Sequence, residues 1–264
     1  MKKVVLVAQE AGAAVMNIYH APQGHISFKS DKSPITEADL ISNSILKEEL
    51  VRILKIPYLS EESEDILFSE RNLWKTFWMV DPLDGTKEFL SSKDEFTINI
   101  ALIHNNELIL GVIYVPARNI IYYGLRNFGS YRQISENAPE KLPIKKNKED
   151  SLKVVTSRFH SDDKTFQFIV EKFKKNFSVV SMGSSLKFCL LAEGEVDFYP
   201  RLSPTREWDT AAGHAILKFC GGAVLDLKSN RELCYNKKNL ENNYFIGISS
   251  ARRKNDTTIF KYIE

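Results

Sequence analysis

The residues in this sequence best suited to chemistry, by type and spacing, are carboxylates. Asp81 and Asp84 follow an apolar run over 77–80 and are separated only by a proline and a leucine. The run is typical of a buried strand, and the proline and following glycine predict that the strand stops and the chain turns at Asp81. The two carboxylates, the Leu83 carbonyl and the Thr86 hydroxyl are hard oxygen ligands of the kind that Mg²⁺ prefers. The alternative is an ordinary Asp-Gly turn without a metal.

Two further acids lie at the ends of predicted elements elsewhere in the chain. Glu61 follows a short strand over 56–60, and Asp209 lies near the start of a helix that begins around Trp208. Carboxylates gathered at one edge repel each other unless cations bind between them. Together with Asp81 and Asp84, these two acids predict a cage of carboxylates with room for about two or three Mg²⁺ ions. Such a site suits hydrolysis of a phosphate ester. The alternatives are a solvated acidic face at Glu61 and a plain helix cap at Asp209.

Two helix starts carry further polar residues. Thr36 is a predicted N-cap with Asp39 three residues later, as in a capping box, and a carboxylate in that position can also serve catalysis. The run Gly183 to Lys187 places small residues and hydroxyls at the start of a predicted helix over 184–192. Free backbone N–H groups at such a start favour an anion, and a plain serine cap is the alternative.

Apolar periodicity predicts the elements that must position these residues. Spacings of three and four predict a helix over 2–20 and another that starts at Thr36. Alternating residues predict an antiparallel meander over 97–123, with turns at Asn105-Asn106 and around Gly124, Gly129 and Ser130. Strands and helices alternate after residue 150, which predicts an α/β layer.

The segment 135–150 has no apolar period, and we interpret it as a linker. We therefore expect two lobes. The first, residues 1–135, would carry most of the acids, and the second, residues 150–264, would carry Asp209 and the anion-binding helix start.

The composition excludes several other classes of protein. The chain of 264 residues is 43% hydrophobic and 27% charged, which is typical of a folded globular protein. A formal net charge of +2 gives no strong field for nucleic acid, and no stretch approaches the roughly 20 apolar residues of a membrane span. The widely spaced Cys189, Cys220 and Cys234 predict reduced thiols and a cytoplasmic protein. No zinc-ligand spacing, serine-hydrolase elbow or phosphate-binding lysine loop is visible.

The sequence resembles the inositol monophosphatase superfamily of Mg²⁺-dependent, lithium-sensitive phosphatases. Its two signatures are similar to Asp81-Pro82-Leu83-Asp84-Gly85-Thr86 and Trp208-Asp209-Thr210-Ala211-Ala212-Gly213. Further segments resemble the 3′(2′),5′-bisphosphate nucleotidase branch of this superfamily, so that the resemblance covers nearly the whole chain: 33–39, 59–62, 84–89, 183–188 and 199–201.

The resemblance implies an α/β (α+β) fold, namely a layered α-β-α-β-α sandwich. It implies Mg²⁺ ligands at Glu61, Asp81, Leu83 (through its carbonyl), Asp84 and Asp209. It implies catalytic roles for Asp39, Thr86 and Glu61, of which the first two would orient or help to deprotonate the attacking water. It implies that the scissile phosphate binds to the backbone N–H groups of Gly85 and Thr86. The full set of implied substrate contacts is Gly85, Thr86, His160, Ser184, Lys187, Arg201 and Asp209.

The activity that the resemblance implies is removal of the 3′-phosphate from 3′-phosphoadenosine 5′-phosphate, a nucleotide of sulfur metabolism, to give AMP. A sulfated relative of this nucleotide is a further candidate substrate. The first alternative is an inositol or sugar monophosphatase, and the second is a non-catalytic sensor of nucleotide or metal. The sequence leaves open whether the protein is a monomer or a homodimer, and whether it associates peripherally with the inner face of the cell membrane.

Overall fold

The computed structural model of the protein describes residues 1–21, 26–28, 34–63, 66–145, 151–159, 163–173 and 176–255. The helices in chain order are α1 (Lys2–Tyr19), α2 (Glu37–Ile53), α3 (Phe68–Arg71), α4 (Thr86–Leu90), α5 (Asp163–Phe173), α6 (Leu186–Glu193), α7 (Glu207–Phe219) and α8 (Ser250–Asn255), with a short 3₁₀ helix at Pro116–Arg118. The strands in chain order are β1 (Ile26–Phe28), β2 (Pro34–Thr36), β3 (Tyr58–Ser60), β4 (Thr76–Asp84), β5 (Thr97–His104), β6 (Glu107–Val115), β7 (Ile120–Leu125), β8 (Gly129–Ile134), β9 (Glu140–Lys141), β10 (Leu152–Ser157), β11 (Phe177–Met182), β12 (Phe198–Arg201), β13 (Ala223–Asp226) and β14 (Phe245–Ile248).

Two large sheets organise the chain. A seven-stranded sheet runs in sequence order from β3 to β9. Its first pair is parallel and the rest form the antiparallel meander that the alternating pattern predicts. A five-stranded mixed sheet has the order β11-β10-β12-β14-β13. Strands β1 and β2 form a separate antiparallel pair.

The helices and the two large sheets form five alternating layers. Helices α1 and α2 pack on one face of the seven-stranded sheet, and α6 and α7 lie between the two large sheets. Helix α5 covers the outer face of the five-stranded sheet, where Ile169 joins its apolar cluster. The order of layers is therefore α-β-α-β-α, and the mixed α/β prediction is confirmed.

The central helix α7 carries Asp209, and its burial follows from its sequence. Every residue from Thr210 to Leu217 is buried, which is typical of a helix enclosed on all sides. Gly111 on β6 allows the close approach, because a Cβ atom there would lie 2.4 Å from the carbonyl oxygen of Ala212. Helix α7 thus packs closely, at Ala212, on the sheet that carries Asp81 and Asp84.

The prediction that the chain turns at Asp81 is wrong. Strand β4 continues through Asp81 and ends at Asp84, and the turn comes one residue later at Gly85. The strand accommodates its proline through an irregularity, since Asp81 pairs with Asn99 and Asp84 with Thr97, which places one extra residue on β4. The bulge explains how a proline can lie inside this strand.

The prediction for 135–150 is also partly wrong. Within the described part of this segment, β9 pairs with β8 and Leu142 is buried. A separate prediction, the turn around Gly124, Gly129 and Ser130, is shifted. Gly124 lies in β7 and both Gly129 and Ser130 lie in β8, so the turn falls at 126–128 between these strands. One apolar cluster includes residues of both large sheets, and the division into lobes 1–135 and 150–264 stays a prediction. Among the described residues, no helix is long and apolar enough to cross a membrane.

Candidate active site

Three of the predicted acids come together where the sheet meets the central helix layer. Glu61 follows β3, Asp81 lies on the neighbouring strand β4, and Asp209 is the third residue of α7. One carboxylate oxygen from each lies within 4.8 Å of one from each of the others. Asp81 is only 1% exposed, so this cluster reaches into the interior of the protein.

The clustering of acids raises their pKa values. Burial raises the pKa of Asp81 well above its ordinary value, and the charges of Glu61, Asp84, Asp209 and Asp39 raise it further. Burial, Asp84 and Glu61 raise the pKa of Asp209 to about 8, although a backbone N–H of Arg206 and the charge of Arg201 oppose the shift. Full ionisation of this group therefore requires positive charge from elsewhere.

Asp84 and Leu83 lie beside this trio rather than in it. The Asp84 carboxylate raises the pKa of both Asp81 and Asp209, which indicates that it is close to both. Its Oδ2 accepts hydrogen bonds from Ser185 Oγ at 2.6 Å and from Asn99 Nδ2 at 3.3 Å. The Leu83 carbonyl oxygen accepts a hydrogen bond from Thr86 Oγ1 at 3.4 Å.

Asp39 serves two elements at once. Its Oδ2 accepts hydrogen bonds from the backbone N–H and the hydroxyl of Thr36, at 2.7 and 2.6 Å, and Thr36 Oγ1 accepts one from Ala38 N. The predicted capping box is thus confirmed. The other oxygen of Asp39 lies 3.5 Å from Thr86 Oγ1, so the carboxylate also reaches the segment that follows Asp84.

Gly85 and Thr86 begin the short helix α4. Gly85 has φ of +92°, and a Cβ atom there would lie 3.1 Å from Ser184 Cβ and 3.2 Å from the carbonyl oxygen of Glu95. Both the backbone conformation and the lack of space therefore require glycine. The first N–H groups of a helix have no partner inside that helix, so this turn can offer donors to an anion.

Cationic and hydroxyl side chains line the same pocket as the acid cluster, and we call this group of residues its cationic side. Buried Lys187 donates hydrogen bonds to the carbonyl oxygens of Ser184 and Met182, and its Nζ lies 5.4 Å from the centre of the Tyr199 ring. Arg201 donates to Ser157 Oγ and to the Pro204 carbonyl oxygen.

Two buried donors in this region have no hydrogen-bond partner among the described residues, namely Ser184 Oγ and Arg201 Nε. Ser184 also has φ of +43°, in the left-handed region that a serine rarely adopts. Unpaired buried donors are costly, and backbone strain of this kind concentrates at functional sites. Both features are expected of a site that pairs with an anion from solution.

A charged pair that sequence reasoning missed supports the segment before Ser184. Arg158 donates two hydrogen bonds to the Glu95 carboxylate, at 2.8 and 2.7 Å, and the backbone N–H of Gly183 donates a third at 2.9 Å. Although burial raises the pKa of Glu95, these donors hold it below its ordinary value. The pair thus fixes Gly183, and neither residue stands in a motif that would have indicated this role.

The acid cluster, the Gly85–Thr86 turn and the cationic and hydroxyl side chains line one pocket of about 300 Å³, whereas Asp39, Asn99 and the Glu95–Arg158 pair are not part of its lining. Its walls include residues from both predicted sets: Glu61, Asp81, Asp84, Asp209, Lys187 and Arg201. Buried Glu88 also lines it and was missed; burial raises the pKa of Glu88. The predicted substrate residue His160 lies outside the described residues.

The residues present fit a divalent metal ion of the hard type. Carboxylate and carbonyl oxygens are the ligands that such ions prefer, and the raised pKa values of Asp81 and Asp209 express the same need for positive charge. A phosphate ester could lie between the acid cluster and the cationic side. The arrangement therefore suits metal-assisted phosphoryl transfer to water.

Comparisons with known proteins agree with this chemistry. Residues 2–264 match the Inositol monophosphatase family. A 3′(2′),5′-bisphosphate nucleotidase, CysQ, of Salmonella typhimurium is 39% identical over 228 residues, which cover 86% of this chain and 90% of the relative. The protein of the same name from Haemophilus influenzae is 35% identical over 250 residues and covers 94% of this chain and 92% of its own length. The crystal structure of CysQ from Bacteroides thetaiotaomicron, at 37% identity, has a TM-score of 0.82, with 94% of this chain and 96% of the other covered.

Proposed function

The chain belongs to the inositol monophosphatase family, and from this membership we propose that it is a 3′(2′),5′-bisphosphate nucleotidase that converts 3′-phosphoadenosine 5′-phosphate to AMP and phosphate. The observation that carries the proposal is the pocket itself, which joins an acid cluster to buried cationic groups and an unpaired hydroxyl. A nucleotide with two phosphates needs both halves, one for the reacting phosphate and one for the other phosphate.

The residues that would hold Mg²⁺ are Glu61, Asp81, Asp84 and Asp209, with the carbonyl oxygen of Leu83. About two or three ions fit the number of ligands, since Mg²⁺ keeps water and substrate oxygens in its shell. When bound, such ions neutralise charge on the phosphoryl oxygens and activate the attacking water. Glu61 would also act in catalysis, because the metal ion that it holds contacts the reacting groups.

The protein's own groups would orient the reactants. Thr86, paired with Asp39, would hold the attacking water through its hydroxyl, and Asp39 would favour proton withdrawal along this hydrogen bond. The N–H groups of Gly85 and Thr86 would receive the scissile phosphate at the start of α4.

The second phosphate would bind on the cationic side of the pocket. Arg201 keeps an unpaired Nε and Ser184 an unpaired hydroxyl, and Lys187 adds positive charge next to them. Guanidinium and ammonium groups form short charge-assisted hydrogen bonds with phosphate oxygens. His160 and Asp209 are further proposed substrate contacts. An inositol monophosphate has no group for this part of the pocket, so the bisphosphate is favoured.

The proposal is tested by phosphate release from purified protein with Mg²⁺. The panel would contain 3′-phosphoadenosine 5′-phosphate, its sulfated relative, the 2′-phosphate isomer and inositol 1-phosphate, each with and without Li⁺. We expect the highest kcat/KM for the nucleotide bisphosphates, and inhibition by Li⁺ that competes with Mg²⁺. Faster hydrolysis of inositol 1-phosphate would favour the monophosphatase alternative, and binding without any turnover would favour the sensor.

We also propose a cytoplasmic location. The three cysteines are free thiols, and Cys189 is buried without a partner sulfur. Free thiols are typical of proteins in a reducing compartment.

A further inference from the structure

A buried polar network holds one oxygen of the Asp84 carboxylate. Ser185 Oγ lies 2.6 Å from Asp84 Oδ2 and 2.9 Å from the backbone oxygen of Asp209. Asn99 Nδ2 lies 2.9 Å from Ser185 Oγ and 3.3 Å from the same oxygen of Asp84. Thr97 Oγ1 donates to Asn99 Oδ1 at 3.0 Å, and none of these three supporting side chains is more than 2% exposed.

The donors and acceptors in this network fix its direction. Thr97 donates to the amide oxygen of Asn99, so the amide nitrogen must face Asp84 and Ser185. The Ser185 hydroxyl accepts an N–H of Asn99 on a lone pair and has a single proton of its own to donate. The 2.6 Å contact, which is short and ends on a carboxylate, indicates that this proton points to Asp84.

Ser185 does not play the role that its position predicts. It occupies the N-cap of α6, yet its hydroxyl makes no capping hydrogen bond to that helix. A serine at this position usually caps, and the loss of a cap costs stability. Here the hydroxyl donates to Asp84 instead, and the backbone oxygen of Asp209 lies 2.9 Å from the same Oγ atom.

The two donors are neutral, which matters next to a metal site. They restrict the orientation of the Asp84 carboxylate without cancelling its charge, as a lysine or arginine would. Oδ1 of Asp84 makes no hydrogen bond within the described part of the chain. The network therefore leaves one oxygen of a charged carboxylate for a cation.

The network also connects separate layers of the fold. Asp84 and Asn99 lie on β4 and β5 of the seven-stranded sheet, whereas Ser185 and Asp209 belong to the starts of α6 and α7. Ser185 thus contacts a ligand candidate from each layer through a single oxygen atom.

We propose that Ser185 and Asn99 are positioning residues for the metal site: through Asp84 Oδ2 they set the orientation of the Asp84 carboxylate relative to Asp209. The inference rests on the proposed function in that it takes Asp84 and Asp209 as metal ligands. Thr97 acts one step further away, because it orients the amide of Asn99.

The test compares Ser185→Ala with the wild-type protein by calorimetric titration with Mn²⁺, together with kcat/KM for 3′-phosphoadenosine 5′-phosphate. Loss of a hydrogen-bonding partner of a metal ligand typically weakens metal binding by about 10–100-fold, and we expect a change of this size. Ser185→Thr keeps the hydroxyl and should restore the affinity. Thr97→Val has the same shape as threonine and should weaken Mn²⁺ binding in the same direction by a smaller factor.

Ser130→Ala is the matched control. Ser130 is a buried serine that donates its hydroxyl to the backbone oxygen of Ile216, away from the acid cluster. Denaturation in EDTA measures the folding stability of each variant without metal. A purely structural role for Ser185 would lower this stability as in Ser130→Ala and leave the Kd for Mn²⁺ unchanged, which would overturn the inference.

The two proposals fail in different ways. A wild-type protein that binds Mn²⁺ without hydrolysing the nucleotide contradicts the proposed function, and the Mn²⁺ titrations still decide the role of Ser185. An active wild-type protein whose Ser185→Ala and Thr97→Val variants both bind Mn²⁺ normally contradicts only the positioning role. Should Ser185→Ala fail to fold, a normal Kd in Thr97→Val is sufficient to reject it.

Discussion

The hydroxyl of Thr86 lies 3.5 Å from Oδ1 of Asp39, while Oδ2 of the same carboxylate caps helix α2 through Thr36. One side chain thus fixes the start of a helix and reaches the segment that follows Asp84. The backbone N–H of Thr36 holds Oδ2 at 2.7 Å, and Oδ1 faces Thr86. Structural and catalytic use of Asp39 are therefore compatible rather than alternative.

We expect Thr86→Val to lower kcat strongly with little effect on metal binding. Valine has the shape of threonine but cannot donate to Asp39 or hold a water. Loss of a positioned proton-transfer partner typically costs about 10²–10⁴-fold in rate. Steady-state kinetics with 3′-phosphoadenosine 5′-phosphate and a Mn²⁺ titration would measure both effects.

Thr36→Ala is the control for the capping role of Asp39. It removes the side-chain cap and should cost about 1 kcal/mol of folding stability. The backbone N–H of residue 36 still donates to Asp39 Oδ2, so the contact between Asp39 and Thr86 is kept. We expect kcat near the wild-type value in this variant. A loss of kcat in Thr36→Ala as large as in Thr86→Val would contradict a separate role for Thr86.

Asp84→Asn should abolish turnover and weaken metal binding. The substitution keeps the volume of the side chain but removes one negative charge from the acid cluster. Asp94→Asn is a suitable control, because Asp94 is an exposed acid that accepts a hydrogen bond from Tyr19 Oη at 2.9 Å. Activity assays at increasing Mg²⁺ concentration would compare them, and full activity in Asp84→Asn would exclude the proposed metal mechanism.

Much of this site could be predicted from sequence because its acids end apolar runs or begin helices. Asp81 and Asp209 stand next to such boundaries, and the capping pattern indicates Asp39. The course of β4 through its proline could not be predicted, because the bulge depends on pairing with β5, which follows later in the chain.

The support of Asp84 is a second feature that sequence alone does not provide. Asn99 is a polar residue inside an apolar strand. Polar residues are seldom buried without a hydrogen-bond partner, so its position in the sequence indicates that such a partner exists. Its partner Ser185 is distant in sequence and stands where a helix cap is expected. Only the packing of α6 against the seven-stranded sheet brings the two side chains together.

Removal of the metal should make folding stability fall as the pH rises. Burial and neighbouring carboxylates raise the pKa of Asp81, and raise that of Asp209 to about 8. In the unfolded chain these acids ionise near pH 4, so above that pH the folded protein holds more protons and loses stability with increasing pH. Denaturation in EDTA at several pH values would measure the slope.

The window from about pH 6.5 to 8 isolates this effect. Burial lowers the pKa of His214 to about 3, and below its ordinary value of 6.5 this histidine adds a slope of opposite sign. Asp209→Asn should flatten the decrease within the window, and Mg²⁺ should oppose it because metal binding favours the ionised acids. A metal-free protein whose stability rises with pH in this window would contradict the prediction.

Arg201→Met should reduce the preference of the enzyme for substrates that carry a second phosphate. Methionine keeps a long side chain but cannot pair with an anion, and removal of one partner from a buried charged pair costs about 10²-fold in binding. We expect kcat/KM for 3′-phosphoadenosine 5′-phosphate to fall by this factor, while that for adenosine 3′-monophosphate, which lacks the 5′-phosphate, changes little. Arg126→Met, at an ion pair with Glu107 outside the pocket, is the control. Equal losses with both nucleotides would instead assign Arg201 to the scissile phosphate.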